Sequence, residues 1–157
     1  MLRKKKRCDI VDVSNKKCVI NAMSKIKITL VEDDEILSKV LYEELQEAGF
    51  EVTQAFNGED GLARIKASRP NLVLLDIVMP KMDGFQVLEA LKASPATRTI
   101  PVIVLTMGGG DEEIKKGFRL GANDYIVKSQ HAVTEIVEKV KNFFVKESHP
   151  EGVPSKK

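Results

Sequence analysis

The chain has 157 residues, of which 43% are hydrophobic and 31% are charged, and its net charge is +2. This composition is typical of a globular protein with one hydrophobic core, and it leaves little room for a second core. No stretch approaches the roughly 18 apolar residues of a membrane helix, and Cys8 and Cys18 are too few for a disulfide scaffold or a four-ligand zinc site. We therefore predict a cytoplasmic protein.

The net charge is divided unevenly along the chain. Residues 1–25 carry +6, which leaves −4 for the rest. The basic run of residues 3–7 is of a kind that binds nucleic acid or anionic lipid, but a disordered tail is the stronger interpretation. Met23 stands directly before a natural opening for a folded domain. A start of translation at Met23, with residues 1–22 not native, is therefore an alternative.

Segments of strand and helix character alternate from Ile26 onward. Short apolar runs bounded by turn residues predict strands. In chain order, the five predicted strands are Ile26–Val31, Phe50–Ala55, Leu72–Asp76, Ile100–Thr106 and Tyr125–Val127. Leu72–Asp76 consists of four apolar residues followed by a carboxylate, and this pattern indicates a strand that is buried on both faces.

Apolar residues at helical spacing follow each predicted strand. Asp34 and Asp83 are placed to cap the first and third helices, and the last helix is predicted over residues 131–146. The apolar faces predicted for the five helices are, in chain order, Ile36, Leu37, Val40, Leu41 and Leu45; Leu62 and Ile65; Phe85, Val87, Leu88 and Leu91; Ile114 and Phe118; and Val133, Ile136, Val137, Val140, Phe143 and Phe144.

Five strand–helix units in sequence predict an α/β protein with a doubly wound, five-stranded parallel sheet. Right-handed crossovers place helices on both faces of such a sheet. The predicted domain covers residues 26–146. Residues 1–25 are predicted to be a disordered basic extension and residues 147–157 a disordered tail. No second domain is expected.

Charged and polar side chains stand where four of the predicted strands end. Glu32 and Asp33 follow the first strand, Asp76 ends the third, Thr106 ends the fourth, and Lys128 follows the fifth. If these strands are neighbours, the side chains meet at the edge where open parallel sheets bind ligands. Two carboxylates about 4 Å apart repel each other by about 4 kcal/mol at an effective dielectric constant of about 20. The cluster therefore needs cations.

Lys128 supplies one positive charge, and a hard divalent ion such as Mg²⁺ suits the carboxylate oxygens. With the metal bound, Asp76 can act as a nucleophile toward a phosphoryl group, because the metal and Lys128 stabilise charge on the transferring oxygens. The hydroxyl of Thr106 can donate a hydrogen bond to the product phosphate.

Residues 26–146 resemble the receiver domain of two-component response regulators. The motifs that carry the resemblance are, in order, Val31-Glu32-Asp33, Leu75-Asp76-Ile77-Val78-Met79-Pro80, Asp83-Gly84, Leu105-Thr106 and Tyr125-Ile126-Val127-Lys128. Each motif is weak alone, but five of them in order at strand ends are specific. The resemblance implies a flavodoxin-like fold with strand order 2-1-3-4-5, as in the chemotaxis regulator.

The resemblance also implies site roles. Asp76 is expected to accept a phosphoryl group from a sensor histidine kinase or a histidine phosphotransfer protein, with Lys128 as counter-ion. The expected Mg²⁺ ligands are Asp33, Asp76, the backbone carbonyl of Val78, and Glu32, directly or through water. Thr106 is the expected switch hydroxyl and Tyr125 the ring that turns inward with it. This motion is expected to change the surface of the fourth helix, fifth strand and fifth helix, near residues 111–146.

The predicted function is that of a single-domain response regulator that controls a downstream protein partner or relays phosphate. It is a phosphoacceptor rather than an enzyme, although it catalyses its own phosphotransfer and slow autodephosphorylation. Neither DNA binding nor membrane binding is expected, and dimerisation on phosphorylation is left open. The alternative is a phosphorylation-independent adaptor of the same fold. Such adaptors usually lose acidic or lysine positions that this chain retains.

Two residues depart from the family pattern. Met107 follows Thr106, where the family mostly has a small residue, and its length is predicted to slow both transfer and hydrolysis. Ser129 follows Lys128, where the family mostly has proline after a cis bond. A cis bond costs about 3–4 kcal/mol before serine and about 1 kcal/mol before proline. The bond is therefore either trans or a strained cis bond, and the position of the Lys128 amine is left open.

Overall fold

The structure is a computed structural model that describes residues 26–148. Strands and helices alternate throughout these residues. The elements are β1 (Lys27–Val31), α1 (Glu35–Glu47), β2 (Glu51–Ala55), α2 (Gly58–Ser68), β3 (Leu72–Asp76), α3 (Gly84–Ala93), β4 (Val102–Thr106), α4 (Asp111–Arg119), β5 (Asp124–Val127), a 3-10 turn (Lys128–Gln130) and α5 (Val133–Ser148). The predicted basic extension, residues 1–25, lies outside the described residues. So does the predicted tail, apart from the last two residues of α5.

The strands form one parallel sheet in the order β2-β1-β3-β4-β5. This order confirms the predicted fold class and topology. Val31 pairs with Leu75 near the ends of β1 and β3, and Thr106 pairs with Val127 at the ends of β4 and β5. The strands therefore end at nearly the same level, and the loops that follow them lie side by side.

Hydrophobic layers cover both faces of the sheet. The layer beneath α1 and α5 includes Leu30, Leu41, Leu45, Leu74, Leu105, Ile136 and Val140. The layer beneath α2 and α3 includes Val31, Ile65, Val73, Leu75, Val87, Leu88 and Leu91. All residues of β3 and β4 are buried, as predicted for β3 from its continuous apolar run. Burial on both faces fixes the height at which these central strands end.

Three residues predicted on buried helix faces are exposed instead. Ile36 and Val40 of α1 are 79% and 39% exposed, and Phe118 of α4 is 48% exposed. The predicted stripe on α1 is wider than the part of the helix that the sheet covers, and Leu41 and Leu45 occupy its centre. Prediction placed the five strand ends correctly, whereas β1, β2 and β4 begin one or two residues later than predicted.

Candidate functional site

The loop after β1 separates a capping carboxylate from two others. The side chain of Asp34 accepts hydrogen bonds from the backbone N–H groups of Ile36 (3.0 Å) and Leu37 (3.1 Å), so Asp34 is the N-cap of α1. This cap leaves Glu32 and Asp33 in the loop at the edge of the sheet.

The loop after β3 starts at Asp76 and ends where Asp83 caps α3. The next residue, Gly84, packs against the backbone of Asp76 and Ile77. A Cβ atom at Gly84 would stand 2.7 Å from Cα of Ile77, closer than real Cβ contacts. Gly84 also donates a hydrogen bond from its N–H to the carbonyl of Ile77 (2.8 Å). Glycine is therefore required for α3 to begin so close to the strand end that carries Asp76.

The structure brings Glu32, Asp33 and Asp76 together with Lys128. One carboxylate oxygen from each acid lies within 4.8 Å of the others. Nζ of Lys128 is 2.6 Å from Oε2 of Glu32 and 3.3 Å from Oδ1 of Asp76. The side chains of Glu32, Asp76 and Lys128 are nearly inaccessible to solvent, while Asp33 is more exposed. The cluster is thus a largely buried acidic pocket with one internal cation.

Burial dominates the electrostatics of this pocket. Burial and then the charge of Glu32 raise the pKa of Asp76 from its ordinary 3.8 to about 7, although Lys128 opposes the shift. Burial lowers the pKa of Lys128, but the hydrogen bond to Glu32 and the charges of Asp76 and Glu32 outweigh it, so this pKa lies above its ordinary value. Lys128 is therefore charged at neutral pH, and it does not fully neutralise the three acids.

An all-oxygen cluster with excess negative charge fits a hard divalent cation such as Mg²⁺. Glu32, Asp33 and Asp76 are the side chains that could hold it. Val78, whose carbonyl was predicted as a further ligand, lies two residues after Asp76, and its side chain is 71% exposed.

Thr106 is the last residue of β4, the strand next to β3, and Tyr125 lies on the neighbouring β5. The buried hydroxyl of Thr106 donates a hydrogen bond to the carbonyl of Gly108 (2.8 Å). The half-buried Tyr125 hydroxyl lies 3.5 Å from Oε1 of Glu113. Burial, followed by the charge and hydrogen bond of Glu113, raises the pKa of Tyr125 to about 12. Both side chains are therefore held by the segment that runs from β4 into α4.

The Lys128–Ser129 peptide bond is trans, because no peptide bond among residues 26–148 is cis. The Lys128 amine nevertheless reaches both Glu32 and Asp76. Of the two alternatives that the sequence left open, the structure therefore has the trans bond.

Glu113 and an exposed apolar rim were missed from the sequence. Glu113 belongs to the acidic first turn of α4, which is typical of any helix N-terminus. The rim consists of Ile36, Phe56, Val78 and Met107, which lie at or shortly after the ends of four strands and are 79%, 41%, 71% and 62% exposed. The unusual length of Met107 was noted, but nothing in the sequence indicates that these four side chains are exposed.

Within residues 26–148, none of the helices has the length and apolar character needed to cross a bilayer.

Comparison with known proteins gives a consistent result. The family described as "Response regulator receiver domain" matches residues 28–141. The phosphate regulon transcriptional regulatory protein PhoB of Rhizobium meliloti is 36% identical over 115 residues, which cover 73% of this chain and 50% of PhoB. The transcriptional regulatory protein CrdR of Helicobacter pylori is 37% identical over 118 residues, 75% of this chain and 54% of CrdR. The chain thus spans about half the length of these relatives.

Solved structures match nearly over their full length. A putative response regulator from Chloroflexus aurantiacus has a TM-score of 0.70 at 32% identity, covering 76% of this chain and 98% of that one. The chemotaxis protein CheY4 of Vibrio cholerae has a TM-score of 0.70 at 26% identity, covering 74% and 97%.

Proposed function

Since this chain belongs to the response regulator receiver domain family, we propose that it is a phosphorylation switch in which Asp76 accepts a phosphoryl group from a phosphohistidine. The phosphodonor is a sensor histidine kinase or a histidine phosphotransfer protein. The observation that carries this proposal is the buried contact of Lys128 with both Glu32 and Asp76, beside a third carboxylate. A structural ion pair needs one acid, whereas phosphoryl transfer needs a nucleophile, a cation and metal ligands together.

In the proposed reaction, a carboxylate oxygen of Asp76 forms a bond to phosphorus while the P–N bond of the phosphohistidine breaks and its electron pair returns to the imidazole. Mg²⁺ held by Glu32, Asp33, Asp76 and the Val78 carbonyl would favour the ionised form of Asp76 and offset charge on the phosphoryl oxygens. Lys128, 3.3 Å from Asp76, is placed to pair with those oxygens.

Thr106 is proposed to act after transfer. Its hydroxyl has to leave the carbonyl of Gly108 before it can donate to the phosphoryl group. This exchange alters the loop between β4 and α4, and Tyr125 follows. The proposed output is a changed surface of α4, β5 and α5 that controls a downstream protein partner, with homodimerisation left open.

The test is incubation of the full chain with Mg²⁺ and acetyl phosphate, read by intact mass. We expect a gain of one phosphoryl group that requires Mg²⁺ and is absent in Asp76→Asn. Asp34→Asn is the matched control, because asparagine caps a helix as well as aspartate does, and it keeps the gain. If the wild-type chain gains no phosphoryl group from a donor that labels another receiver domain, the phosphorylation-independent adaptor is the better explanation.

The rim of Ile36, Phe56, Val78 and Met107 is proposed to contact the phosphodonor protein. These four side chains are exposed and follow the ends of four strands, at the edge of the sheet where Asp76 lies, and exposed apolar side chains favour association. We expect Ile36→Asp to slow transfer from a histidine kinase that phosphorylates the wild-type chain by roughly 10-fold, as loss of an interface anchor does. Uptake from acetyl phosphate is expected to be unchanged. An equal effect on both donors would contradict the docking role.

Met107 is proposed to restrict access to the phosphorylated site. It follows Thr106 directly at the end of β4, the strand that pairs with β3 and its last residue Asp76. We expect Met107→Ala to speed both phosphoryl uptake from acetyl phosphate and loss of the phosphoryl group. Time courses of intact mass measure both rates, with Met82→Ala as a control in the loop after β3. Rates equal to those of the wild type would contradict the proposal.

The relatives that are transcriptional regulators are about twice as long as the matched segment. We propose that residues 26–146 do not themselves bind DNA, because their charge is acidic overall and DNA binding relies on basic surfaces. A cytoplasmic location belongs to the same proposal.

A further inference from the structure

Helix α4 buries only one of its residues. Gly117 is the only residue of α4 that is buried, whereas α3 buries Gly84, Val87, Leu88 and Leu91. Gly110 caps α4 without a side-chain hydrogen bond. Other contacts of α4 are made by side chains that are not buried: the ring of Phe118 lies 6.1 Å from that of Tyr125, and the Lys116 ammonium lies 4.4 Å from the centre of the Phe85 ring. A helix with so few buried residues is weakly held, so its position depends on what packs against Gly117.

The ring of Tyr125 packs against Gly117. A Cβ atom at Gly117 would stand 2.8 Å from Cε2 and 3.3 Å from Cδ2 of this ring. The first distance is shorter than real Cβ atoms show, so any larger residue would displace the ring or the helix. The absence of a side chain at Gly117 therefore leaves the space that the Tyr125 ring fills.

The opposite side of the ring faces the loop after β4. Oε1 of Glu113 lies 3.5 Å from the Tyr125 hydroxyl. A Cβ atom at Gly109 would stand 2.9 Å from the same Oε1, 3.5 Å from Cγ2 of Thr106 and 3.8 Å from Cε1 of Tyr125. Thr106, Glu113 and Tyr125 thus lie around Gly109, and a movement of Thr106 changes the space that the Tyr125 ring borders.

We propose that Gly117 and Glu113 are positioning residues that hold the Tyr125 ring in its position in the unphosphorylated protein. We call these two contacts of the ring the seat, and phosphorylation of Asp76 releases the restraint that the seat imposes. The inference rests on the proposed function and adds the residues that store the resting state. The seat couples the site to α4 because the same ring contacts this helix at Gly117 and Glu113 and lies across Gly109 from Thr106.

The chain offers a direct probe of this seat. It contains two tyrosines, Tyr42 and Tyr125, and no tryptophan. In a Tyr42→Phe background, near-ultraviolet absorbance and tyrosine fluorescence therefore report Tyr125 alone. The pKa of about 12 that burial and Glu113 give to Tyr125 is the resting value of this probe.

The test is Gly117→Ala in that background. An alanine in a helix is ordinarily favoured over glycine, so a merely structural role predicts a displaced Tyr125 ring with an unchanged rate of phosphoryl uptake. We expect the Tyr125 titration to move down toward pH 10 and its fluorescence before phosphorylation to resemble that of the phosphorylated parent. Uptake from acetyl phosphate is expected to be about fivefold faster or more, the usual scale of coupling between two sites.

Gly110→Ala is the matched control, because a Cβ atom there meets nothing within 4 Å. It is expected to leave the titration and the uptake rate unchanged. A double variant with Tyr125→Ala separates the seat from general damage: without the ring, Gly117→Ala is expected to have no effect on uptake. If Gly117→Ala lowers the helical circular dichroism, Glu113→Gln is tested in its place. We expect this variant to have a lower pKa of Tyr125 and faster phosphoryl uptake.

The two proposals fail differently. A wild-type chain that takes up no phosphoryl group overturns the phosphorylation switch and, with it, this restraint. A wild-type chain that is phosphorylated, together with Gly117→Ala that matches Gly110→Ala in titration and uptake, overturns the seat alone. Persistence of the Gly117→Ala effect in the absence of the Tyr125 ring overturns it as well.

Discussion

Asp76→Asn is expected to make the metal-free protein more stable at neutral and alkaline pH. The pKa of Asp76 in the folded protein, about 7, lies above its ordinary 3.8 because of burial and the charge of Glu32. The folded state therefore binds this proton more tightly than the unfolded state, and stability falls as pH rises from about 4 to about 7. A pKa difference of this size corresponds to about 4 kcal/mol at most. Loss of the contact with Lys128 offsets part of it, so we expect a net gain of about 1–3 kcal/mol.

Urea denaturation at about pH 5 and about pH 8, with a chelator present, measures this effect. The gain from Asp76→Asn is expected to be larger at the higher pH, where the wild-type carboxylate is ionised. Mg²⁺ is expected to stabilise the wild type more than Asp76→Asn, since the variant has lost one negative charge and one carboxylate ligand of the pocket. Asp34→Asn serves as the control and gains no stability. A variant less stable than the wild type at about pH 8 without metal would contradict the account.

The sequence predicted the fold because its information lies within short segments. Each strand is a continuous or alternating apolar run, and each strand end is marked by a charged or turn residue, as at Asp76 and Asn57. Parallel strands that end at one level bring residues far apart in the chain to one edge. The pairing of Glu32 with Lys128, which are 96 residues apart, follows from that topology.

Finer details of the site could not be predicted because they depend on packing between segments. Lys128 lies closer to Glu32 than to Asp76, a difference of less than 1 Å that is set by how β1, β3 and β5 align. The exposure of Ile36 depends on how much of α1 the sheet covers, since helical spacing alone allows it on the buried stripe.

The glycines illustrate the same limit. Gly117 in a short, highly charged helix indicates only a weak helix former when the sequence is considered alone. Its meaning comes from the Tyr125 ring, which belongs to another segment and fills the space that a Cβ atom would need. Gly84 could be predicted, because it follows a capping aspartate in a recognisable motif, but its contact with the backbone at Ile77 could not.

Lys128→Met is expected to separate the structural and chemical parts of the acidic pocket. Lys128 is the cation within the described pocket, and its raised pKa keeps it charged until the pH exceeds its ordinary value of 10.5. Methionine retains the length of the side chain but leaves Glu32 and Asp76 buried beside each other without a cation. Removal of one partner from a buried ion pair costs about 3–5 kcal/mol. We expect a loss of this order in the free energy of unfolding at about pH 8 without metal.

Lys92→Met is the matched control for the loss of a partly buried lysine. Nζ of Lys92 donates to the backbone carbonyls of Arg98 (3.1 Å) and Ile100 (2.9 Å), and these bonds connect α3 to the segment that precedes β4. This variant is expected to lose stability without any change in its response to Mg²⁺. Lys128→Met, by contrast, is expected to be stabilised by Mg²⁺ more than the wild type is, because the metal supplies the charge that the pocket has lost.

The rate of phosphoryl uptake by Lys128→Met, unlike its stability, is not expected to be restored by Mg²⁺. Mg²⁺ restores the stability of Lys128→Met but not the ammonium that faces the transferring oxygens, so phosphoryl uptake stays roughly 100-fold slower, as for the loss of one transition-state donor. Uptake is measured by intact mass at a Mg²⁺ concentration that saturates the gain in stability. Uptake at the wild-type rate would reduce Lys128 to a counter-ion of the resting pocket. If Mg²⁺ does not restore the stability of Lys128→Met, the metal does not bind at the cluster of Glu32, Asp33 and Asp76.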